Sequence, residues 1–281
     1  MSSYSIYRDL VTQLMQGEES LPSLPNLTLQ IRSALHSSTT TTAQLERLIG
    51  RDPALSALLV KHSSSPLYRQ SRQAQGLRDV IQVLGMKQVG NITMAHSLKS
   101  LFTLYSPAYK RLFLEVWERL VIKASTCSVM ARQIGKVAPE HALLASLLSE
   151  VGSLVLLSAF RNDTQPPSAD EYYLLCREFS KSLGVILLKK WAVEDEYIQI
   201  IRQAGDWFSV HEPRLQPVDL VNLALYHAII ERDPNAGLPP LPTLAAYQKL
   251  PAPFNQLDDL GFLQLITENE DAIQAVASAL R

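Results

Sequence analysis

The sequence predicts an all-α protein: a multi-helix bundle in two lobes with a C-terminal helical extension. Three observations lead there. Apolar residues recur at three- and four-residue spacing, period-two alternation is scarce, and helix-start signals are frequent. With 281 residues, 47% of them apolar, the chain can bury one large core or two moderate ones.

Leu27, Ile31 and Leu35 fall on one helical face around "TLQIRSAL". "SSTTTT" (37–42) is a polar connector that ends in a helix cap. "TAQLERLIGRDPALSALLVKH" (42–62) gives two short helices. Asp52 caps the second, and Pro53 takes its first position, where a missing N–H does no harm. Gly85 after "VIQVL" is a helix stop. Pro107, Pro139 and Pro217 stand in first turns. "LLASLLSEVGSLVLL" (143–157) reads as one apolar helix. Its small residues Ala145, Ser149, Gly152 and Ser153 form a stripe that admits a close neighbour. "SADE" offers Ser168 and Glu171 as a capping box, and "TENE" offers Thr267 and Glu270 as another. "RNDTQPPSAD" (161–170) is a loop, and "RDPNAGLPPLP" (232–242) is a stronger, proline-rich break. We therefore expect an N-terminal lobe over 1–105, a second lobe over 106–230 and an extension over 231–281.

Composition narrows the function. The formal net charge is −1, without the basic excess that neutralises nucleic-acid phosphates. The segment 42–62 has the outline of a helix-turn-helix, but "PALSALLVKH" is too apolar to read base edges. Cys127 and Cys176 lack CxxC or Cys/His spacing and read as reduced core thiols. The N-terminus lacks the features of a signal peptide. No apolar run approaches the roughly 20 residues of a membrane-spanning helix. These points imply a soluble cytoplasmic protein with neither a membrane nor a nucleic-acid partner. Gly-rich phosphate loops and the GxSxG elbow are absent. His36, His62, His96, His141, His211 and His227 show no HxxxH or HExxH pairing, so each reads as a surface or core residue. "LDDL" (257–260) and "ENED" (268–271) read as caps or solvated faces.

One residue resists this reading. Glu150 lies in the middle of the most apolar stretch of the chain, and a buried charge costs several kcal/mol unless it is paired or neutralised.

Four phrases follow one another in the first lobe: "LPSLPNLTLQI" (21–31), "LERLIGRDPALSALLV" (45–60), "SSPLYR" (64–69) and "LRDVIQVLGMKQVGNI" (77–92). In the second lobe come Trp117, "LLASLLSEVGSLVL" and "LGVILLKKWAV" (183–193). In this order they resemble the HDOD family, the HD-related output domains of bacteria, over roughly residues 20–210, and the match implies that Trp117 opens a helix. Ser64 and Val80 depart from the usual Asn and Ala. The resemblance implies a branch of the HD phosphohydrolase superfamily, whose active members hold a divalent metal with a His, a His-Asp pair and a later Asp. The pair's phrase is matched here by Leu147-Leu148-Ser149-Glu150-Val151-Gly152-Ser153, with both ligand positions changed. The first His falls near Arg119, a permanent cation, and Ser180 stands where many relatives have His. The resemblance thus implies a protein with no catalytic residues, metal or cofactor, signalling through a protein partner or a small ligand. The alternative is a metal-dependent phosphohydrolase acting on a nucleotide or cyclic dinucleotide. Glu150 keeps three readings: an ion pair, with Arg119 the leading partner; part of a ligand cleft with Arg119 and Lys123; or a surviving metal ligand. Ser149 and Ser180 complete the candidate vestigial site.

Overall fold

The structure is a computed structural model that describes residues 3–16, 24–64, 74, 76–102, 107–160, 167–210 and 212–280. Residues 21–23 of the "LPSLP" phrase, 65–69 of "SSPLYR", 161–166 of the expected loop, the expected lobe boundary at 105 and His211 lie outside the described residues. The fold is all-α. Among the described residues the only extended pairing is an isolated antiparallel bridge between Leu257 and Leu263.

The helices run in chain order α1 (Ser3–Gln16), α2 (Asn26–His36), α3 (Thr42–Ile49), α4 (Pro53–Ser63), α5 (Leu77–Leu84) and α6 (Met86–Phe102). After these come α7 (Pro107–Ile134), α8 (Pro139–Ser149), α9 (Val151–Ala159), α10 (Ala169–Lys190) and α11 (Asp195–Gln203). The last are α12 (Pro217–Arg232), α13 (Ala245–Gln248), α14 (Gln264–Thr267) and α15 (Glu270–Leu280). They form two compact units: a larger one of Met1–Ser23 with Leu104–Ile273, and a smaller one of Leu24–Thr103 with Gln274–Arg281.

In the smaller unit the apolar faces of α2 to α6 meet in one core that includes Ile31, Leu45, Leu55, Leu59, Ile81 and Ile92. Leu27 and Leu35 pack against it, as their spacing with Ile31 requires. Local chemistry sets the element ends. Thr41 and Gln44 form a capping box on α3. Asp52 accepts the Leu55 N–H at 3.0 Å at the start of α4, with Pro53 at its first position. Gly85 ends α5 at φ 77°, a conformation that costs glycine little.

The larger unit is built on α7, 28 residues long, with α8 and α12 packed along it and α10 packed on α9. Pro107, Pro139 and Pro217 open α7, α8 and α12. Trp117 does not open a helix. It lies inside α7, because nothing between Pro107 and Ile134 interrupts the helical pattern, and its ring is buried. Ser168 and Glu171 form the expected capping box on α10. Thr267 and Glu270 do not form theirs. Thr267 is the last residue of the extra turn α14, so it lacks the extended backbone that a cap needs, and the first bond of α15 runs from the Ile273 N–H to the Asn269 carbonyl at 3.0 Å.

The stretch 143–157 is also two helices rather than one. The backbone leaves helical geometry at Glu150 (φ −116°, ψ 14°), which ends α8 and starts α9. Taken together, Pro139–Ala159 is 21 residues, long and apolar enough to cross a membrane by length and composition, contrary to the expectation from sequence. Inside the fold 83% of its apolar window is buried, so its apolar surface is spent on the core. The expected stripe is divided between α8 and α9, and the close approach is at Gly152, where α9 meets α10: a Cβ added there would stand 1.8 Å from the Ser180 carbonyl oxygen and 2.7 Å from the Gly184 nitrogen.

Candidate functional site

The break at Glu150 turns its side chain out of the apolar helix pair toward α7. Lys123 and Arg119 lie one turn apart on that helix, so both face the break. The Lys123 ammonium donates to Glu150 Oε1 and, at 3.1 Å, to Ser149 Oγ. Ser149 Oγ in turn donates to the Ser146 carbonyl at 2.7 Å. Arg119 Nη2 stands 3.9 Å from Glu150 Oε2. The sequence pointed to Arg119 as the leading partner of Glu150. The closer partner is Lys123, whose side chain is 2% exposed, against 24% for Arg119.

Two further residues complete the cluster, and no motif flagged them. Tyr173, in the first turns of α10, has the Arg119 guanidinium over its ring at 4.5 Å and the Arg232 guanidinium at 4.6 Å. Arg232 ends α12. A Tyr after "SADE" and an Arg that opens a proline-rich break carry no local signal of a shared site; the packing of α7, α10 and α12 brings them together. Beside them, Tyr172 is buried and its hydroxyl donates to the Ser153 carbonyl at 2.8 Å, tying α10 to α9. Ser180 enters through its backbone, against Gly152; among the described residues its hydroxyl makes no hydrogen bond to the cluster.

Electrostatics follow from this geometry. Burial pushes the Glu150 carboxyl up, but Lys123, then Arg119, the Lys123 hydrogen bond and Arg232 more than reverse that, and it is held below the usual carboxylate range. Glu150 is therefore ionised at neutral pH. It is an acceptor and a weakened base, not a proton donor. Burial raises the thiols of Cys127 and Cys176, to about 11 and about 12, so neither is a thiolate nucleophile. Both are free, and Cys176 is only partly buried.

The HDOD domain model matches residues 21–206. The chain belongs to the HDOD family. The HDOD match covers the smaller unit's α2 to α6 and runs through α7 to α11 of the larger, so the Glu150 break lies within it.

Solved structures share the fold of this HDOD chain over its whole length. A presumed metal-dependent phosphohydrolase from Shewanella amazonensis SB2B aligns over 99% of this chain and 99% of its own, with TM-score 0.77 and 20% identity. An HDOD domain protein of unknown function from Geobacter sulfurreducens aligns over 99% and 98%, with TM-score 0.66 and 18% identity. A presumed signal transduction protein from Marinobacter aquaeolei VT8 covers 100% of this chain and 67% of its own, with TM-score 0.58 and 20% identity. No curated protein matches the chain.

The metal that the HD superfamily implies does not fit the residues around Glu150. Ser149 is committed to Lys123 and to the Ser146 carbonyl. The one carboxylate is already in contact with an ammonium and faces a guanidinium, both of which repel a dication. Among the described residues, no group of three or more His, Cys, Asp or Glu is placed to hold a metal ion.

Proposed function

We propose that this HDOD protein is a non-catalytic regulator in bacterial signalling, acting in the cytoplasm by binding a protein partner or a small ligand. The observation that carries the reading is the Lys123 ammonium bridging Ser149 and Glu150. Those two residues stand where the superfamily phrase has its His-Asp pair. With an internal cation on Glu150, the described residues of the site form a charge pair in which the carboxylate is a weakened base, and none of them offers the ligand set by which a metal would polarise a phosphoryl oxygen. Its exposed edge, with Arg119 and Arg232, is suited to binding.

The competing reading, a metal-dependent phosphohydrolase acting on a nucleotide or cyclic dinucleotide, draws on fold likeness alone, and a shared fold is a weak warrant for activity. Metal content separates the two. The untagged protein is incubated with manganese, iron and zinc, desalted, and its metal counted per chain. We expect a value near zero. A stoichiometric metal that is lost in Glu150→Ala would overturn the proposal.

A further inference from the structure

We infer that the cations around Glu150 form a binding site for the phosphate group of a small phosphomonoester. The inference rests on the reading of this chain as a binding protein and gives its ligand a chemical class.

Charge comes first. Lys123, Arg119 and Arg232 supply three positive charges around Glu150, which is the sole carboxylate paired with any of them among the described residues. The surplus of two matches a phosphomonoester, which carries about −1.5 to −2 near neutral pH. A carboxylate ligand would leave one cation uncompensated.

Geometry adds direction. At 3.9 Å, Arg119 is beyond hydrogen-bond reach of Glu150. Among the described residues no guanidinium N–H of Arg119 or Arg232 donates a hydrogen bond within the cluster. Both guanidinium groups lie over the Tyr173 ring, at 4.5 Å and 4.6 Å from its centroid, and a cation–π contact leaves a guanidinium's N–H donors available for an anion. Two planar forks beside a surplus of positive charge are the groups that hold a phosphate bidentately. The ring itself already carries both guanidinium groups, so it is not a platform for a nucleobase.

Access and support complete the site. Arg119 and Glu150 are 24% and 23% exposed and Arg232 is exposed, so a small anion reaches them from solvent. Lys123, 2% exposed, anchors the floor.

Phosphorus NMR of phenyl phosphate with the full chain, at fixed ionic strength, tests this. We expect saturable broadening of the phosphate signal, with no such effect of acetate added as competitor. Arg232→Gln, an exposed change that leaves the melting curve in place, should weaken binding about ten-fold or more. Arg119→Gln should do the same. Absence of broadening, displacement by acetate at equal concentration, or unchanged affinity in Arg232→Gln would overturn the inference and leave the non-catalytic reading standing. Growth of an inorganic phosphate signal would do the reverse: binding would be upheld and the non-catalytic reading lost. Tighter binding of a phosphoserine peptide than of phenyl phosphate would overturn the small-molecule assignment in favour of a modified protein.

Discussion

At the scale of single residues, the Glu150 cluster is asymmetric. Lys123 is almost wholly buried, whereas Glu150 and Arg119 are each about a quarter exposed. Removing the carboxylate strands a buried ammonium; removing Arg119 takes away a distant, partly solvated contact. Glu150→Gln should therefore lower stability by about 3 kcal/mol, at the low end for a broken buried pair. Arg119→Met should lower it by less than about 1 kcal/mol. Urea titrations of the two variants check the order; equal losses would mean that Arg119 and not Lys123 holds the carboxylate. The sequence marked Glu150 as anomalous because its neighbours are apolar. It could not name the partner, which lies 27 residues away on another helix.

At the scale of elements, the pairing of α9 with α10 depends on an absent side chain. The backbone of α10 occupies the space that a Cβ at Gly152 would need, and backbone cannot swing aside as a side chain can. Gly152→Ala should cost about 3 kcal/mol or more, at the upper end of overpacking, and should move Tyr172 off the Ser153 carbonyl. A urea midpoint that matches wild type would show that α10 can retreat without loss. Element ends set by near neighbours were legible in sequence: Thr41, Asp52 and Ser168 each cap the helix that they precede. Thr267 misleads because "TENE" is a purely local pattern, and Trp117 because the family match rather than the helical spacing around it set it at a helix start. The long run of α7 follows from an uninterrupted helical pattern between Pro107 and Ile134, and the added turn α14 takes in Thr267 as its last residue.

At the scale of the molecule, two buried histidines make stability sensitive to acid. His62 lies in the smaller unit and His227 in the larger, 4% and 6% exposed. Burial lowers His62 to about 4, helped by Lys61; burial lowers His227 to about 4 as well, with Asp258 opposing. Both folded values lie below the ordinary 6.5, so the unfolded chain binds more protons between the two. Stability from these groups is complete above pH 6.5 and is lost as pH falls toward 4, about 3 kcal/mol for each. Urea midpoints measured across that window should fall with pH in the wild type. They should fall less steeply in His62→Leu and in His227→Leu. A flat wild-type profile would mean that the rings gain protonated-state partners on folding.

The sequence by itself determined the all-α class, the family, several helix starts and the oddity of one carboxylate. Those features are written in local spacing, in caps and prolines, and in phrases whose order survives in a single chain. Tertiary structure alone decided that Lys123 holds Glu150, that the apolar stretch breaks there, and that Tyr173 and Arg232 join the site. Each of those outcomes depends on side chains from helices far apart in sequence meeting at one point. Helical periodicity records which face of a helix turns inward, and carries no record of which helix it will face.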